Sequence, residues 1–171
     1  MPKTIPYENL PSECMFFGYG SLMFYQGING RGLQHIYRSN DELIPITVEG
    51  LKRSMSAEIP VTPITRSRFY SVAINQNEKV FGMLFKVHSK HDLVALLLNE
   101  GAEPVFLGGC YTVYDISDLT HKYAGNLPVL TLICPELPDD KSLYHPGYID
   151  YVFKGIPKKY KEEFLKTGGL N

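Results

Sequence analysis

The chain has no tryptophan, three cysteines and almost no net charge, and each scarcity removes a class of protein. Cys14, Cys110 and Cys134 are odd in number, far apart in sequence and free of any Cys-x-x-Cys pair, so free buried thiols of a cytoplasmic protein are expected rather than a disulfide framework. A net charge of −1, with 17 basic and 18 acidic residues interspersed, offers no footprint for nucleic acid and no polybasic patch for a membrane surface. No run approaches the roughly 20 apolar residues of a spanning helix. Met1 to Ser12, with Pro2, Lys3 and Pro6 but no apolar core, reads as neither signal peptide nor anchor. The partner these exclusions leave is a small neutral or zwitterionic molecule. At 171 residues the chain fits one domain, residues 1–171, able to bury roughly 70% of its unfolded surface.

What is present begins with Phe17-Gly18-Tyr19-Gly20-Ser21-Leu22-Met23, where an apolar strand, Cys14 to Phe17, runs into two glycines and a serine. Such a corner brings backbone N–H groups towards one oxygen, as in anion nests and oxyanion holes, or is simply a tight turn. Three motif readings fail on single residues. A dinucleotide fingerprint needs glycine where Met23 stands, a phosphate loop needs a Gly-Lys-Ser or Gly-Lys-Thr that the chain lacks, and a nucleophile elbow needs glycines in place of Tyr19 and Met23.

Further along, Gln26 to Gly32 reads as a polar glycine-rich loop and Leu43 to Leu51 as an edge strand interrupted by Pro45. Phe69 to Ile74 and Val80 to Val87 read as two strands of a hairpin joined by Asn75-Gln76-Asn77-Glu78-Lys79. Ser89 opens a helix with Asp92 as capping partner, Leu93, Leu96 and Leu97 share its apolar face, and Gly101 stops it after Glu100. Cys110 to Ile116 and Val129 to Cys134 read as strands. A proline-rich stretch, Pro135 to Tyr148, precedes a short helix around Lys158 to Lys166. Strands that do not alternate with helices favour an α+β fold over a doubly wound sheet.

Glu100 stands at the C-terminal end of its helix, where exposed carbonyls disfavour an ionised carboxylate. It either points into solvent or serves as a general acid/base. Tyr111 reads as core or pocket wall, and Tyr148 either as a hydroxyl donor near a ligand or as packing for a proline-rich turn. His88 and His91 find no third ligand spaced to join them, so no metal and no cofactor is expected. His121 and His145 read as surface residues, and Lys52-Arg53 as a solvated face from which Arg53 is able to approach a substrate carboxylate.

Four pieces in order resemble the γ-glutamylcyclotransferase superfamily (AIG2-like and ChaC-like proteins included): Gly18-Tyr19-Gly20-Ser21-Leu22, Phe81-Gly82-Met83-Leu84-Phe85, Glu100-Gly101, and the tail. The tail comprises Pro146-Gly147-Tyr148-Ile149 and Gly155-Ile156-Pro157-Lys158-Lys159-Tyr160-Lys161-Glu162-Glu163-Phe164-Leu165. The resemblance implies an α+β fold with a mixed, partly closed β-barrel and a few flanking helices. It also implies an amine-eliminating enzyme, of lyase or acyltransferase type, that releases 5-oxoproline from a γ-glutamyl amide. Glu100 would be the acid/base, with Glu103 as second candidate, and Tyr19, Gly20, Ser21, Leu22 and Tyr148 would bind the γ-glutamyl substrate. Leu22 and Met23 are closer to the glutathione-cleaving branch, whereas the tail is closer to the amino-acid-cleaving one, so the leaving group stays open. A non-catalytic binding module with the same pocket is the alternative, and a hydrolase using Cys110 or Ser21 has no local signature.

Overall fold

Two long strands organise the sheet. The computed structural model describes residues 1–120 and 125–171. In chain order the elements are β1 (Lys3–Thr4), β2 (Cys14–Gly18), α1 (Tyr25–Asn29), β3 (Ile44–Pro60), β4 (Arg66–Val87), α2 (Lys90–Glu100), β5 (Ala102–Glu103), β6 (Tyr111–Asp115), α3 (Ser117–Thr120), β7 (Val129–Ile133), α4 (Tyr148–Gly155) and α5 (Lys161–Lys166). The strand order is β1-β6-β7-β2-β4-β3, with β5 paired to β6. β2 runs parallel to β7 and antiparallel to β4, so the sheet is mixed. β4 pairs with β2 over Met83 to Val87 and with β7 at Val72, which makes the sheet curl into a partly closed barrel. The fold is α+β, as expected.

The interior is one apolar cluster. β2 contributes Phe16 and Phe17, β4 contributes Leu84 and Phe85, and Leu93, Leu96 and Leu97 of α2 are fully buried against the sheet. Ser89 caps α2 by accepting the Asp92 N–H at 3.1 Å, and Gly101 ends it in the left-handed region at φ 68°. The Asp92 carboxylate does not complete a reciprocal box. It accepts instead from the Gln34 and His35 N–H groups at 2.7 and 3.2 Å, tying the start of α2 to the segment after α1.

Three sequence expectations give way. The expected hairpin at Asn75–Lys79 does not exist: β4 runs straight through these residues. Glu49 pairs with Lys79 and Leu51 with Ile74, so residues 75–78 bulge out opposite Gly50 alone, whose φ of 96° accommodates the mismatch. The chain reverses earlier, between β3 and β4, where Val61 N–H bonds the Thr65 carbonyl at 2.9 Å. Polar residues marked a turn in the sequence because a wide bulge shows them to water just as a turn does. Second, part of Gln26–Gly32 is helix α1, whose first N–H, of Tyr25, donates to Asn40 Oδ1 at 2.9 Å. Third, Tyr148 opens helix α4, although the proline-rich reading ended there; Ile149, Val152, Phe153 and Ile156 carry the helical spacing that marks it. β3, by contrast, does lie at the sheet edge.

Among the described residues no helix is long and apolar enough to cross a membrane, and no group of three or more His, Cys, Asp or Glu is placed to hold a metal ion. His88 is exposed, with its ring 4.0 Å from that of His35. His121 falls outside the described residues.

The register of β4 is checked by cross-strand NOEs. Contacts between Ile74 and Leu51 and between Val80 and Val48 are expected, whereas Ile74–Val80 contacts would restore the hairpin.

Candidate functional site

β2 ends at Gly18, and the chain passes through Tyr19 and Gly20 into a single 3-10 turn, Ser21–Met23, closed by Met23 N–H on the Gly20 carbonyl at 3.0 Å. The Tyr19 hydroxyl donates to the Leu132 carbonyl at 2.8 Å. The Tyr19 carbonyl accepts from Arg53 Nε at 3.0 Å. In a trans peptide the following N–H points opposite to the carbonyl. Arg53 thereby sets the direction of the Gly20 N–H. Ser21 and Leu22 open the turn, where N–H groups have no acceptor within the turn itself.

Two adjoining cavities meet at the corner. The inner recess, about 30 Å³, lies between the corner, Tyr70 and Leu132, and the outer chamber, about 460 Å³, extends past Arg31, Phe69 and His145. Ser21, Glu100, Tyr111 and Tyr148 line both. By volume the recess holds a carboxylate or about two waters, so a larger ligand would straddle the two spaces. The structure brings Tyr19, Gly20, Ser21, Leu22, Glu100 and Tyr148 together around the recess.

Glu100, the last residue of α2, turns inward with its side chain 16% exposed, and its Oε1 accepts from Arg31 Nε at 2.6 Å. The same guanidinium donates through Nη2 to Ser21 Oγ at 2.7 Å, so Arg31 links the helix end to the glycine corner. The Arg31 carbonyl in turn accepts from Asn99 Nδ2 at 2.7 Å. Arg31 was hidden inside a segment that reads as a polar loop, and no spacing rule connects it to Glu100.

Glu103 is directed elsewhere: its Oε1 accepts the Gly108 N–H at 2.9 Å, within its own loop. That loop, residues 102–109, is a closed excursion. A Cβ at Gly109 would stand 1.9 Å from the Gly101 carbonyl oxygen, so only glycine lets the two ends of the loop touch.

Tyr148 sits over Gly20; a Cβ at Gly20 would lie 2.9 Å from the Tyr148 hydroxyl and 3.3 Å from Tyr70. Burial, and then the Glu100 carboxylate, push the Tyr148 hydroxyl well above its ordinary range. It is a neutral donor at any physiological pH. Tyr111 is pocket wall, with its hydroxyl donating to the Tyr70 carbonyl at 2.6 Å.

Arg53 corrects the expected solvated face. It is 4% exposed and bonds Thr167 O at 2.7 Å and Thr167 Oγ1 at 3.2 Å, as well as the Phe81 carbonyl. Alternation along β3 carries it inward, so its donors serve backbone carbonyls. His145 likewise leaves the expected surface: its ring stacks on Phe69 at 4.9 Å, and its Nδ1 is buried with no hydrogen-bond partner among the described residues. Cys110 and Cys134, distant in sequence, lie with sulfurs 3.7 Å apart at neighbouring ends of β6 and β7. Among the described residues no hydrogen bond joins Cys110 or the Ser21 hydroxyl to a histidine.

Gly20→Ala is expected to destabilise the protein by about 1–3 kcal/mol through the clash with Tyr148 and Tyr70. Adding Tyr148→Phe should recover part of that loss, because it removes the nearest atom, and equilibrium denaturation of the double-mutant cycle measures the coupling.

No protein-family model matches the chain, and no curated protein matches it by sequence. Solved structures do match. That of a gamma-glutamyl cyclotransferase superposes with a TM-score of 0.56 at 14% identity, covering 93% of this chain and 90% of the other. The crystal structure of an uncharacterized protein from Homo sapiens superposes with a TM-score of 0.54 at 13% identity, covering 94% and 91%. At such identities it is the backbone path that is shared: the chain has the gamma-glutamyl cyclotransferase-like fold.

Proposed function

We propose that the chain, acting as one domain over residues 1–171, cyclises a γ-glutamyl amide, releasing 5-oxoproline and a free amine or amino acid. The observation that carries this reading is the meeting of one carboxylate, Glu100, with the backbone corner Gly20-Ser21-Leu22 on a shared recess too small for a large cofactor.

The reaction needs little else. The substrate α-ammonium gives a proton to the Glu100 carboxylate, and the freed nitrogen lone pair attacks the γ-carbonyl carbon of the same molecule. The leaving nitrogen takes the proton back from Glu100 as the tetrahedral oxyanion collapses and its bond breaks, and the remaining extra proton on the ring nitrogen passes through the same carboxylate to the freed amine, which departs as an ammonium. Ring closure is intramolecular, so the nucleophile is already tethered and a protein nucleophile is unnecessary. The corner N–H groups and the neutral Tyr148 hydroxyl supply donors for the oxyanion or for the substrate α-carboxylate. Arg31, bonded to both Glu100 and Ser21, holds the carboxylate at the mouth of the recess.

A panel of γ-glutamyl amino acids, amines and peptides tests this reading by 5-oxoproline release. Release from at least one is expected, with Glu100→Gln lowering turnover by about 10²–10⁴-fold and Glu103→Gln changing it less than about twofold. Release from none would leave the non-catalytic binding module, and full turnover by Glu100→Gln would remove the proton shuttle.

A further inference from the structure

We infer that Arg31 and the aromatic wall of the outer chamber select the leaving group: an α-amino acid with a free carboxylate and a large apolar or aromatic side chain. The inference rests on the cyclisation reading and specifies the other half of its substrate.

Arg31 stands at the neck between the two spaces. Its bonds reach Ser21 and Glu100, which line both cavities, while Arg31 itself lines only the outer one. With the γ-carbonyl oxygen in the recess at the corner N–H groups and the rest of the γ-glutamyl group straddling both spaces, the scissile nitrogen lies at this neck. A carboxylate on the next carbon comes within reach of the guanidinium. Nε and Nη2 are committed to Glu100 and Ser21, and Nη1 has no acceptor among the described residues, so it remains as donor for an incoming carboxylate. A leaving group that carries an ammonium beside the scissile bond would instead meet Arg31 as a like charge. A dipeptide leaving group has an amide at that carbon and its carboxylate farther out.

The rest of the chamber carries little charge, although Asn99, Ser21, His145 and the tyrosine hydroxyls make slightly more of its open surface polar than apolar. Besides Arg31, the ordinarily charged side chain on its wall is Glu100, which the reaction itself employs. Ile59, Phe69, Pro146 and Tyr151 present apolar surface, and the His145 ring lies nearly flat on Phe69 with 25° between planes. Tyr148 meets Phe69 edge-on at 4.9 Å, so the wall is braced by ring contacts. At about 460 Å³ the chamber is in the range of small-molecule pockets and has room for an aromatic side chain.

The test compares kcat/KM for 5-oxoproline release from γ-glutamyl-phenylalanine, γ-glutamyl-phenethylamide, which lacks only the carboxylate, and γ-glutamyl-glycine, which lacks only the side chain. The wild-type protein should favour the phenylalanine compound over each of the others by about tenfold or more. Arg31→Gln should bring the phenylalanine and phenethylamide compounds within about twofold of each other while the preference over glycine persists, and Arg31→Lys should restore part of the carboxylate preference. If Arg31 serves only to hold Glu100, Arg31→Gln lowers all three rates alike and leaves their ratios unchanged, which overturns the inference. Release from all three at similar efficiency by the wild-type protein overturns it without a variant and leaves cyclisation standing. Release from none of these three, nor from the wider panel, overturns cyclisation and this inference with it.

Discussion

A buried guanidinium governs the geometry of this molecule. Arg53, on the edge strand β3, is held by the carbonyls of Tyr19, Phe81 and Thr167 and lies over the Phe164 ring at 4.5 Å, with no carboxylate among its partners in the described residues. Burial lowers its pKa to about 10, which still leaves it charged at neutral pH. Desolvating a cation costs several kcal/mol, and the bonds to carbonyls together with the ring face offset that cost. Three distant parts of the chain are therefore tied to one point: the glycine corner, the middle of β4 and the end of α5. Thr167 tightens the tie, since its hydroxyl accepts the Phe81 N–H at 3.0 Å. A positive charge behind the Tyr19 peptide also favours a negative charge in front of it.

The second constraint is the end of α2. Ser89 and Gly101 fix where the helix starts and stops, so Glu100 is delivered to the recess by a rigid element rather than by a loop. The neighbouring 102–109 excursion closes on itself through Gly101 and Gly109 and keeps Glu103 occupied. Arg31 then joins this rigid end to the corner that Arg53 positions. Two arginines with opposite circumstances share the work: one wholly buried and bound to backbone, the other at the cavity mouth and bound to side chains.

Local chemistry was legible in the sequence and long-range pairing was not. Ser89, the leucine spacing and Gly101 gave α2 its bounds, because caps and periodicity act within a few residues. A turn at the end of β2, at Gly18 to Leu22, was legible for the same reason, but its burial was not. β4 misled because Asn75 to Glu78 are polar in a bulge as they would be in a turn, and only the partner strand distinguishes the two. Arg31, Arg53 and His145 were misplaced because the partners that define them lie 69, 34 and 76 residues away in sequence. The Cys110 and Cys134 thiols meet for a similar reason, brought together by the β6–β7 pairing.

The central claim is that the corner fixed by Arg53 is a binding surface made of backbone and faces Glu100. Titrating the protein with 5-oxoproline, the product of the proposed reaction, while following backbone amides by ¹H–¹⁵N NMR tests it most directly. Saturable shifts concentrated at Gly20, Ser21 and Leu22, with Tyr148 moving alongside them, are the predicted result. Unmoved corner amides under saturating ligand, or shifts confined to another face of the sheet, would contradict it.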